Sequence, residues 1–399
     1  MTTEPVKGFK DYIGDEAKKR AEIKKILVET FEKYGFEPAE TPVIEAEEFV
    51  RGENANDEAV SDIYKLEDKG KRKLALRYEF TFQLKRLMQN KKLPYKRYQL
   101  GEVFRDEPVS SNRFRQFVQS DVDIIGSTIK DDAEILALTK EVLEKLGIKF
   151  KIYIGNRALL NEILEELGIK SAQNQILREI DKLDKLPETE IKSNLKKYKA
   201  ENFVNILKKP EKYFEKYKNY KDVSELKKFC KYYRIDFVFQ PSLVRGLSYY
   251  NKNVFEIKTH ESKSNSEKIQ IKETIVGGGS YIFNGIQSTG ISFGLDRLSS
   301  LAKIDYEKEK YLVISLDKNK EAINIANKLR EKNKIVNLFY GKPSKALEYA
   351  NSYKFSKVIF VGEKEIKSKK FMVKDMETGK EKQEVFHSSF KNAERKKAR

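Results

Sequence analysis

A densely charged stretch, FRDEPVSSNRFRQF at residues 104–117, lies between two apolar runs of the chain. The flanking runs, KRYQLGEVFR and FRQFVQSDVDIIG, have the composition of strands, so the charged stretch is predicted to be a long hairpin loop. Because a hairpin joins antiparallel strands, we expect an antiparallel sheet. Arginines placed beside phenylalanines are typical of a site for a flat, anionic ligand.

Helical and extended patterns alternate in the N-terminal part of the chain. Apolar residues recur at helical spacing over residues 15–35 and 131–146, and residues 80–89 are predicted to form a further helix. Two short strands joined by a turn are predicted at residues 64–67 and 73–76. Together with later strands and the glycine-rich passage GISFGLDRLSSL, these elements predict a domain that contains both helices and strands, called the α+β domain below.

Two further regions differ from this pattern. Residues 156–233 lack strand patterns and repeat Lys, Glu, Leu and Ile at helical spacing, which predicts a helical insertion with a basic face. Residues 306–399 alternate three buried-type strands with two helices, a βαβαβ pattern that a hairpin follows. The α+β domain therefore consists of residues 1–155 and 234–305, and a separate α/β domain ends the chain.

The charge balance favours a polyanionic partner. The chain has 399 residues, with 80 Lys and Arg residues against 62 Asp and Glu residues, a formal net charge of +18 and a pI near 9.4. Such an excess is typical of proteins that bind RNA or DNA. A lysine-rich proteome, arising from nucleotide bias or heat adaptation, would give a similar composition, and composition alone leaves both explanations open.

Cysteine and histidine are too rare for several classes of site. Cys230 is the single cysteine, and His260 and His387 are the only histidines. An intrachain disulfide and metal sites built on cysteines or several histidines are therefore excluded. No stretch approaches the roughly 18 apolar residues of a membrane span, and the start MTTEPVKGFKDY lacks a signal-peptide core. We expect a cytoplasmic protein that does not associate with a membrane.

Separated segments supply charged, polar and aromatic side chains suited to a single site. Taken singly, each has a structural explanation, such as a surface ion pair, a turn or a solvated strand face. Together, arginines, acids and a glycine-rich strand suit a triphosphate and an amino-acid zwitterion held on a sheet. The candidates are Glu79, Arg105, Glu107, Arg113, Phe117, Gln119, Asp121, Asp123, Arg245, Tyr249, Tyr250, Gly277, Gly278, Gly279 and Arg297.

In order and spacing, these segments resemble a class II aminoacyl-tRNA synthetase, and specifically the histidyl-tRNA synthetase family. FRDE…RFRQF is similar to motif 2, GISFGLDRL to motif 3, LRYEFT to the family's LRPE.T, and LVRGLSYYNKNVFE to its histidine-specific signature. The resemblance covers essentially the whole chain. It implies a class II catalytic fold, which is an α+β domain with an antiparallel sheet flanked by helices. It also implies a helical insertion that contacts tRNA and a C-terminal α/β anticodon-binding domain. DVDII after motif 2 resembles the archaeal and eukaryotic branch.

Four positions depart from the family pattern. Tyr78 replaces the usual proline of LRPE, and Ser248 replaces the aspartate of RGLDYY. Ser280 and Ile282 replace the arginine and the aspartate of GGRYD. These departures concern the packing of the histidine pocket and leave the residues assigned to chemistry in place.

The resemblance implies roles for each ATP-binding candidate. Arg105 would hold the α-phosphate and the histidine carboxylate, and Arg245 would approach the same oxygens from the other side, so these two are the predicted catalytic residues. Phe117 would stack on adenine, and Glu107 would accept from the adenine amino group. Arg113 would hold the β- and γ-phosphates, and Arg297 would hold the γ-phosphate. Mg²⁺ would bridge the phosphates of ATP with few protein ligands.

The resemblance also implies a histidine site. Glu79, Thr81 and Gln119 would receive the ammonium group. Asp123 and Tyr250 would contact the imidazole, with Tyr249 in the same pocket. The second substrate would be tRNA(His), and the family implies a homodimer that pairs near residues 36–43.

Two other classes of protein share parts of this pattern. A catalytically inactive, synthetase-like regulatory paralogue is the nearest alternative. Such paralogues generally lack the anticodon-binding domain and the complete arginine set, whereas Arg105, Arg245 and Arg297 are all present here. A plain RNA-binding protein would explain the net charge but not arginines in the strand regions.

Overall fold

The computed structural model describes residues 3–52, 62–110, 113–245, 250–259 and 274–386. The chain forms two compact units, Met1–Ile304 and Asp305–Arg399. Within the described residues, no helix is both long enough and apolar enough to cross a membrane.

The first unit contains a large sheet, a small sheet and ten α-helices among its described residues. Its strands are β1 (Glu37–Pro38), β2 (Ile44–Ala46), β3 (Lys65–Glu67), β4 (Lys73–Leu76), β5 (Tyr95–Phe104), β6 (Gln116–Ile125), β7 (Phe150–Asn156), β8 (Val238–Phe239), β9 (Tyr250–Thr259), β10 (Thr274–Phe283) and β11 (Ile286–Gly294). Its helices are α1 (Gly14–Lys33), α2 (Glu47–Arg51), α3 (Leu84–Leu87), α4 (Ile129–Lys145), α5 (Arg157–Glu166), α6 (Gln173–Ile180), α7 (Glu188–Leu195), α8 (Glu201–Leu207), α9 (Tyr220–Tyr232) and α10 (Leu295–Leu301).

The large sheet has eight strands in the order β1-β5-β6-β11-β10-β9-β7-β8. Its six central strands pair antiparallel, and the short strands β1 and β8 add in parallel at the two edges. β5 and β6 form the predicted long hairpin. The predicted α+β fold, an antiparallel sheet flanked by helices, is therefore confirmed.

The two faces of the large sheet have opposite character because successive side chains alternate between them. One face packs its apolar side chains, such as Val122, Ile291 and Phe293, against α1, α4 and α10 in the main core. The other face carries Gln119, Asp121 and the rest of the polar row of β6. The helices thus cover the apolar face and leave the polar face for chemistry.

Helix α1 follows its sequence pattern closely. Ile23, Leu27 and Phe31 recur every fourth residue and are buried against the sheet. The helix ends at Lys33, and Gly35 follows with φ +78°, a conformation that glycine adopts without strain. The helix predicted at residues 15–35 is confirmed to within two residues.

The helix predicted at residues 80–89 is wrong in extent, because only Leu84–Leu87 is α-helical. Side chains from elsewhere in the chain bind backbone carbonyls at and just before the predicted start of this helix. Arg105 Nε donates to the Tyr78 carbonyl at 3.1 Å, and Arg97 Nη2 donates to the Phe80 carbonyl at 3.0 Å. The preceding segment is therefore held in an irregular conformation beside the polar face of the sheet.

Helices α5–α9 and short 3-10 turns occupy residues 157–232. They bury their own apolar cluster, which includes Leu160, Ile176, Phe203 and Phe214. Asn156 begins the region by capping α5, since its side-chain oxygen accepts from the Leu159 backbone N–H at 2.9 Å.

The second unit has the predicted βαβαβ order and a hairpin. Its elements are β12 (Lys310–Ser315), α11 (Asn319–Glu331), β13 (Ile335–Tyr340), α12 (Pro343–Ser352), β14 (Lys357–Val361), α13 (Glu363–Ser368), β15 (Phe371–Asp375) and β16 (Glu381–Glu384). The strand order is β13-β12-β14-β15-β16, with the first three strands parallel. Helices α11 and α12 contribute to different apolar clusters of this unit, so each covers its own part of the sheet.

Candidate active site

The charged hairpin loop is tied across its own base. The Arg105 backbone N–H donates to the Arg115 carbonyl at 2.9 Å, just beyond the paired strands β5 and β6. The guanidinium of Arg115 pairs with Asp106 at 3.0 Å. These contacts define the direction in which the two arms of the loop leave the sheet.

Arg105 is held by contacts on three sides. Its Nε donates to the Tyr78 carbonyl at 3.1 Å, and its Nη2 donates to Gln119 Oε1 at 3.4 Å. Its guanidinium carbon lies 5.2 Å from the centroid of the Phe117 ring. Since a guanidinium is planar and always charged, this arrangement presents a fixed cation beside an aromatic surface.

Glu107 connects two arginines of the same loop. Arg113 Nε lies 2.9 Å from Glu107 Oε2, and Arg105 Nη1 lies 4.0 Å from Glu107 Oε1. The Arg113 side chain is mostly exposed, while Glu107 is largely covered. The structure therefore brings together Arg105, Glu107, Arg113 and Phe117, four of the predicted ATP-binding residues.

A row of polar side chains extends along β6 from this loop. Gln119, Asp121 and Asp123 are all buried and share one face of the strand. On the neighbouring strand β11, Gly294, Ser292 and Gly290 lie opposite them in register. A Cβ at Gly290 would collide with Asp123 Oδ1, so the absence of a side chain there makes room for the carboxylate.

Asp123 is held by two residues that are not among the candidates predicted from the sequence. Arg97, fully buried and opposite Asp123 in register, places Nη2 at 2.8 Å from Asp123 Oδ2. The Tyr281 hydroxyl donates to Asp123 Oδ1 at 2.6 Å. Arg97 alternates with Gln99 along β5, and this period of two is the signal that points to a shared polar face.

Two acidic groups of this face, Glu79 and Asp121, have raised pKa values. Burial, reinforced by the charge of Asp121, raises the pKa of Glu79 to about 7, although Arg105 opposes the shift. Burial and the charge of Asp123 raise the pKa of Asp121 to about 6. Gln119 Nε2 donates to both oxygens of Asp121 at 2.9 Å, which leaves its own Oε1 pointing toward Arg105. Raised carboxyl pKa values of this kind cluster at functional sites.

Arg245 approaches the glycine-rich strand β10. A Cβ at Gly277 would collide with Arg245 Nη1, so the guanidinium occupies the space that a side chain would fill. Burial raises the pKa of Asp181 in the helical insertion, and the charge of Arg245 opposes that shift. The predicted close approach is therefore made by a side chain at Gly277, and by the backbone of the neighbouring strands at Gly278 and Gly279.

The remaining candidates occupy the edges of the same face. Arg297 Nη1 donates to the Thr274 carbonyl at the start of β10. Tyr250 is buried opposite Tyr281 in register, and Thr81 is half-buried. Tyr249 lies outside the described residues, as does the departure at Ser248.

Of the other departures from the family pattern, Ser280 is separated from the polar row, whereas Tyr78 and Ile282 line a cavity together with Glu79 and Thr81. Ser280 lies on the opposite face of β10 and donates to Asp132 at 2.9 Å. Ile282 is exposed. Tyr78 is buried and stacks on Phe82, with 5.8 Å between ring centroids. A cavity of about 140 Å³ lies beside this pair, and Glu79, Thr81 and Tyr281 also line it.

Sequence comparison decides the family. The profile described as "Histidyl-tRNA synthetase" matches residues 8–298, and the profile described as "Anticodon binding domain" matches residues 310–396. The chain belongs to the histidyl-tRNA synthetase family. The class II fold, the anticodon-binding domain and the ligase class predicted from the sequence are therefore confirmed.

Named relatives extend over nearly the full chain. Histidine–tRNA ligase 2 of Shouchella clausii is 30% identical, covering 94% of this chain and 96% of its own length. Histidine–tRNA ligase of Methanocaldococcus jannaschii is 34% identical with the same coverage. Both names agree with the predicted activity, histidine–tRNA ligase, and the regulatory alternative is not favoured.

Solved structures support the fold. The crystal structure of histidyl-tRNA synthetase from Nostoc sp. PCC 7120 matches with a TM-score of 0.83 and 21% identity, covering 96% of this chain and 97% of that one. A protein from Bacillus halodurans, titled as an ATP phosphoribosyltransferase regulatory subunit/histidyl-tRNA synthetase, matches with a TM-score of 0.74 and 21% identity over 90% of this chain and 98% of its own. At such identities these likenesses show the fold alone.

Replacing Glu79 by glutamine should change how stability depends on pH. The folded protein keeps a proton on Glu79 up to about pH 7, whereas the unfolded chain releases it near 4.5. The free energy of unfolding therefore falls as the pH rises through this window. The shift corresponds to an upper limit of roughly 3.5 kcal/mol, at about 1.4 kcal/mol per pKa unit.

Denaturant unfolding of the ligand-free wild type and the Glu79→Gln variant at several pH values measures this effect. The variant should gain stability relative to wild type as the pH rises from 4.5 to 7. A stability difference that stays constant across the window would contradict the assignment of a protonated, buried carboxyl group.

Proposed function

We propose that the chain activates L-histidine with ATP and transfers the histidyl group to tRNA(His). The observation that carries this proposal is the polar face of the large sheet. It places the fixed cation Arg105 and the aromatic ring of Phe117 next to the buried acids Glu79, Asp121 and Asp123. A nucleotide phosphate and an amino-acid carboxylate suit the cationic end, and an ammonium group suits the acidic end.

ATP would lie across the hairpin loop. Phe117 would stack on adenine, Glu107 would accept from its amino group, and Arg113 and Arg297 would hold the outer phosphates. The covered position of Glu107 between Arg105 and Arg113 supports these roles, because the carboxylate orients both guanidinium groups. Mg²⁺ would be held mainly through the phosphates, where it would neutralise the charge that pyrophosphate carries away.

The histidine carboxylate would attack the α-phosphorus in line. A bond forms from the carboxylate oxygen to phosphorus, and the bond to the bridging oxygen breaks, so that pyrophosphate leaves with the electron pair. Arg105 and Arg245 would stabilise the charge that develops on the phosphate oxygens, since fixed cations need no reorganisation during the reaction. Their fixed positions rest on the Tyr78 carbonyl for Arg105 and on the open space at Gly277 for Arg245.

The histidine ammonium group would bind Glu79, Gln119 Oε1 and Thr81. Gln119 is suited to accept because its Nε2 is already committed to Asp121. The ammonium would bind the ionised form of Glu79, whose pKa is raised to about 7 without a ligand. Histidine binding should therefore release a proton when the pH lies below that value.

The imidazole would meet Asp123, Tyr250 and Tyr249. Asp123 already accepts from Tyr281 and pairs with Arg97, yet a carboxylate retains further lone pairs for one more donor. A ring nitrogen matched to this acceptor would distinguish histidine from amino acids of similar size, because an unmatched buried polar group costs free energy.

The other parts of the chain would serve tRNA and assembly. The insertion at residues 156–233 would contact the acceptor arm, and the domain at residues 306–399 would read the anticodon. A homodimer would form near residues 36–43, where Val43 and the adjoining Ile44 are exposed apolar side chains. We place the chain in the archaeal and eukaryotic branch, since DVDII follows motif 2, and in the cytoplasm.

Histidine-dependent exchange of labelled pyrophosphate into ATP tests the proposed reaction, and Arg245→Ala tests its transition-state cation. The exchange rate constant should fall on the order of a hundredfold, because the lost charge acts mainly as the phosphate becomes more anionic. The histidine affinity should change little. Arg72→Ala is the matched control, since Arg72 is an exposed arginine paired with Asp68 in a turn.

An Arg245→Ala variant with normal exchange would contradict the role assigned to Arg245. Wild-type protein without any histidine-dependent exchange would contradict the proposed function itself.

The role of the second unit in tRNA binding can be tested by ending the chain at Asp305, the boundary of the compact units. After a circular dichroism check that this shorter chain folds, pyrophosphate exchange should be largely retained and aminoacylation of tRNA should fall. Wild-type aminoacylation should also weaken steeply with salt, because lysines contact phosphates. Equal aminoacylation and equal salt dependence in both chains would show that the second unit does not bind the tRNA.

A further inference from the structure

The segment at residues 8–20, here called the N-terminal strap, contacts motif 2 at one end. The Gly8 carbonyl accepts from the Arg115 backbone N–H at 2.9 Å and from the Gln116 N–H at 3.4 Å. Gly8 has φ +92°, and a Cβ there would lie 2.8 Å from Arg115 side-chain carbons. The strap therefore passes directly over the arm of the loop that contains Arg115.

Arg115 extends this contact to the opposite arm of the loop. Its Nε donates to the Glu107 carbonyl at 3.2 Å, and its Nη2 pairs with Asp106 at 3.0 Å. The Glu107 side chain in turn pairs with Arg113. A shift of the strap at Gly8 would thus displace the residues proposed to contact adenine and the outer phosphates.

The other end of the strap contacts motif 3. The Tyr12 hydroxyl donates to Asp296 Oδ1 at 2.8 Å, and Arg20 Nη1 lies 2.5 Å from the same oxygen. The Arg20 guanidinium carbon is 3.7 Å from the centroid of the Tyr12 ring. Asp296 directly precedes Arg297 at the beginning of α10, so this three-residue cluster fixes the backbone from which Arg297 extends.

We propose that the N-terminal strap couples motif 2 to motif 3, and that Tyr12 is a positioning residue for ATP that acts through Asp296 on Arg297. The proposal rests on the proposed function, because it takes Arg113, Glu107 and Arg297 as ATP contacts. A triphosphate held at both ends depends on the spacing between the two groups of cations. A strap attached to both motifs fixes that spacing. The spacing matters because small displacements of binding groups have large effects on reaction rates.

Burial and the Asp296 carboxylate raise the pKa of Tyr12, so its hydroxyl stays a donor at neutral pH. The charged groups around this hydroxyl are Asp296 on α10, and Glu16 and Arg20 on the part of the strap that begins α1. The link is therefore a neutral hydrogen-bond donor to a carboxylate that also has a cationic partner.

The test uses the full chain with Tyr12→Phe, which removes the hydroxyl and keeps the ring beneath Arg20. The ATP dissociation constant, measured by calorimetry, and the ATP KM of pyrophosphate exchange should each rise about tenfold. The histidine KM should change by less than about twofold, because the histidine site does not include either end of the strap. A general loss of stability would not weaken ATP binding while leaving the histidine KM nearly unchanged.

Tyr98→Phe is the matched control, because the Tyr98 hydroxyl donates to Glu32 on α1 at 2.9 Å without contacting either motif. Both variants lose one tyrosine–carboxylate hydrogen bond, but only Tyr12→Phe should weaken ATP binding. Gly8→Ala provides a second arm from the motif 2 end, with the same selective loss of ATP affinity expected.

The coupling role of the strap would be overturned if Tyr12→Phe left ATP affinity unchanged, or if it weakened ATP binding and histidine binding equally. If wild type lacked histidine-dependent exchange but bound ATP, and Tyr12→Phe weakened that binding, the proposed reaction would fail while the strap proposal would be supported.

Discussion

Burial of acidic side chains on one face of the antiparallel sheet governs the architecture of the first unit. Removing an ionised carboxylate from water is costly unless a partner compensates it. Asp123 pairs with the fully buried Arg97 and accepts a hydrogen bond from the Tyr281 hydroxyl. Asp121 accepts from the side-chain amide of Gln119. Glu79, flanked by other acids, has its pKa raised to about 7. Around Glu79 the three acids outnumber the nearby arginines Arg97 and Arg105, an imbalance that a bound ammonium group would offset.

The compensating groups need space, and the neighbouring strands supply it through small residues. Gly290 leaves room for the Asp123 carboxylate, and Gly277 leaves room for the Arg245 guanidinium. On the opposite face the same strands pack Ile291 and Phe293 into the main core. The alternation of a β-strand thus lets one sheet bury an apolar layer and a charged layer at once. A side chain larger than hydrogen at either glycine would displace a charged group.

Much of this arrangement could be predicted from the sequence, where local patterns are strong. The β5–β6 hairpin, helix α1 and the βαβαβ order of the second unit all follow from hydrophobic periodicity. The polar row of Gln119, Asp121 and Asp123 follows from period-two spacing.

What could not be predicted depends on contacts between residues distant in sequence. Tyr281 and Asp123 are 158 positions apart, so their hydrogen bond requires the strand order, which local patterns do not contain. The helix expected at residues 80–89 is shortened because Arg97 and Arg105 take carbonyls of the segment before it. The N-terminal strap was missed for the same reason, since Tyr12 and Asp296 meet only in the folded chain.

The acidic side chains of this face are proposed to bind the ammonium group of histidine. Measuring proton release on histidine binding tests this proposal most directly. L-Histidine is titrated calorimetrically into wild type and into Glu79→Gln, one unit below the Glu79 pKa of about 7, in two buffers of different ionisation enthalpy. Protonation of the free histidine itself is common to both proteins and cancels in the comparison. The account predicts that wild type releases more protons than the variant, because the ammonium group binds the ionised carboxylate. Equal proton release by the two proteins would contradict it.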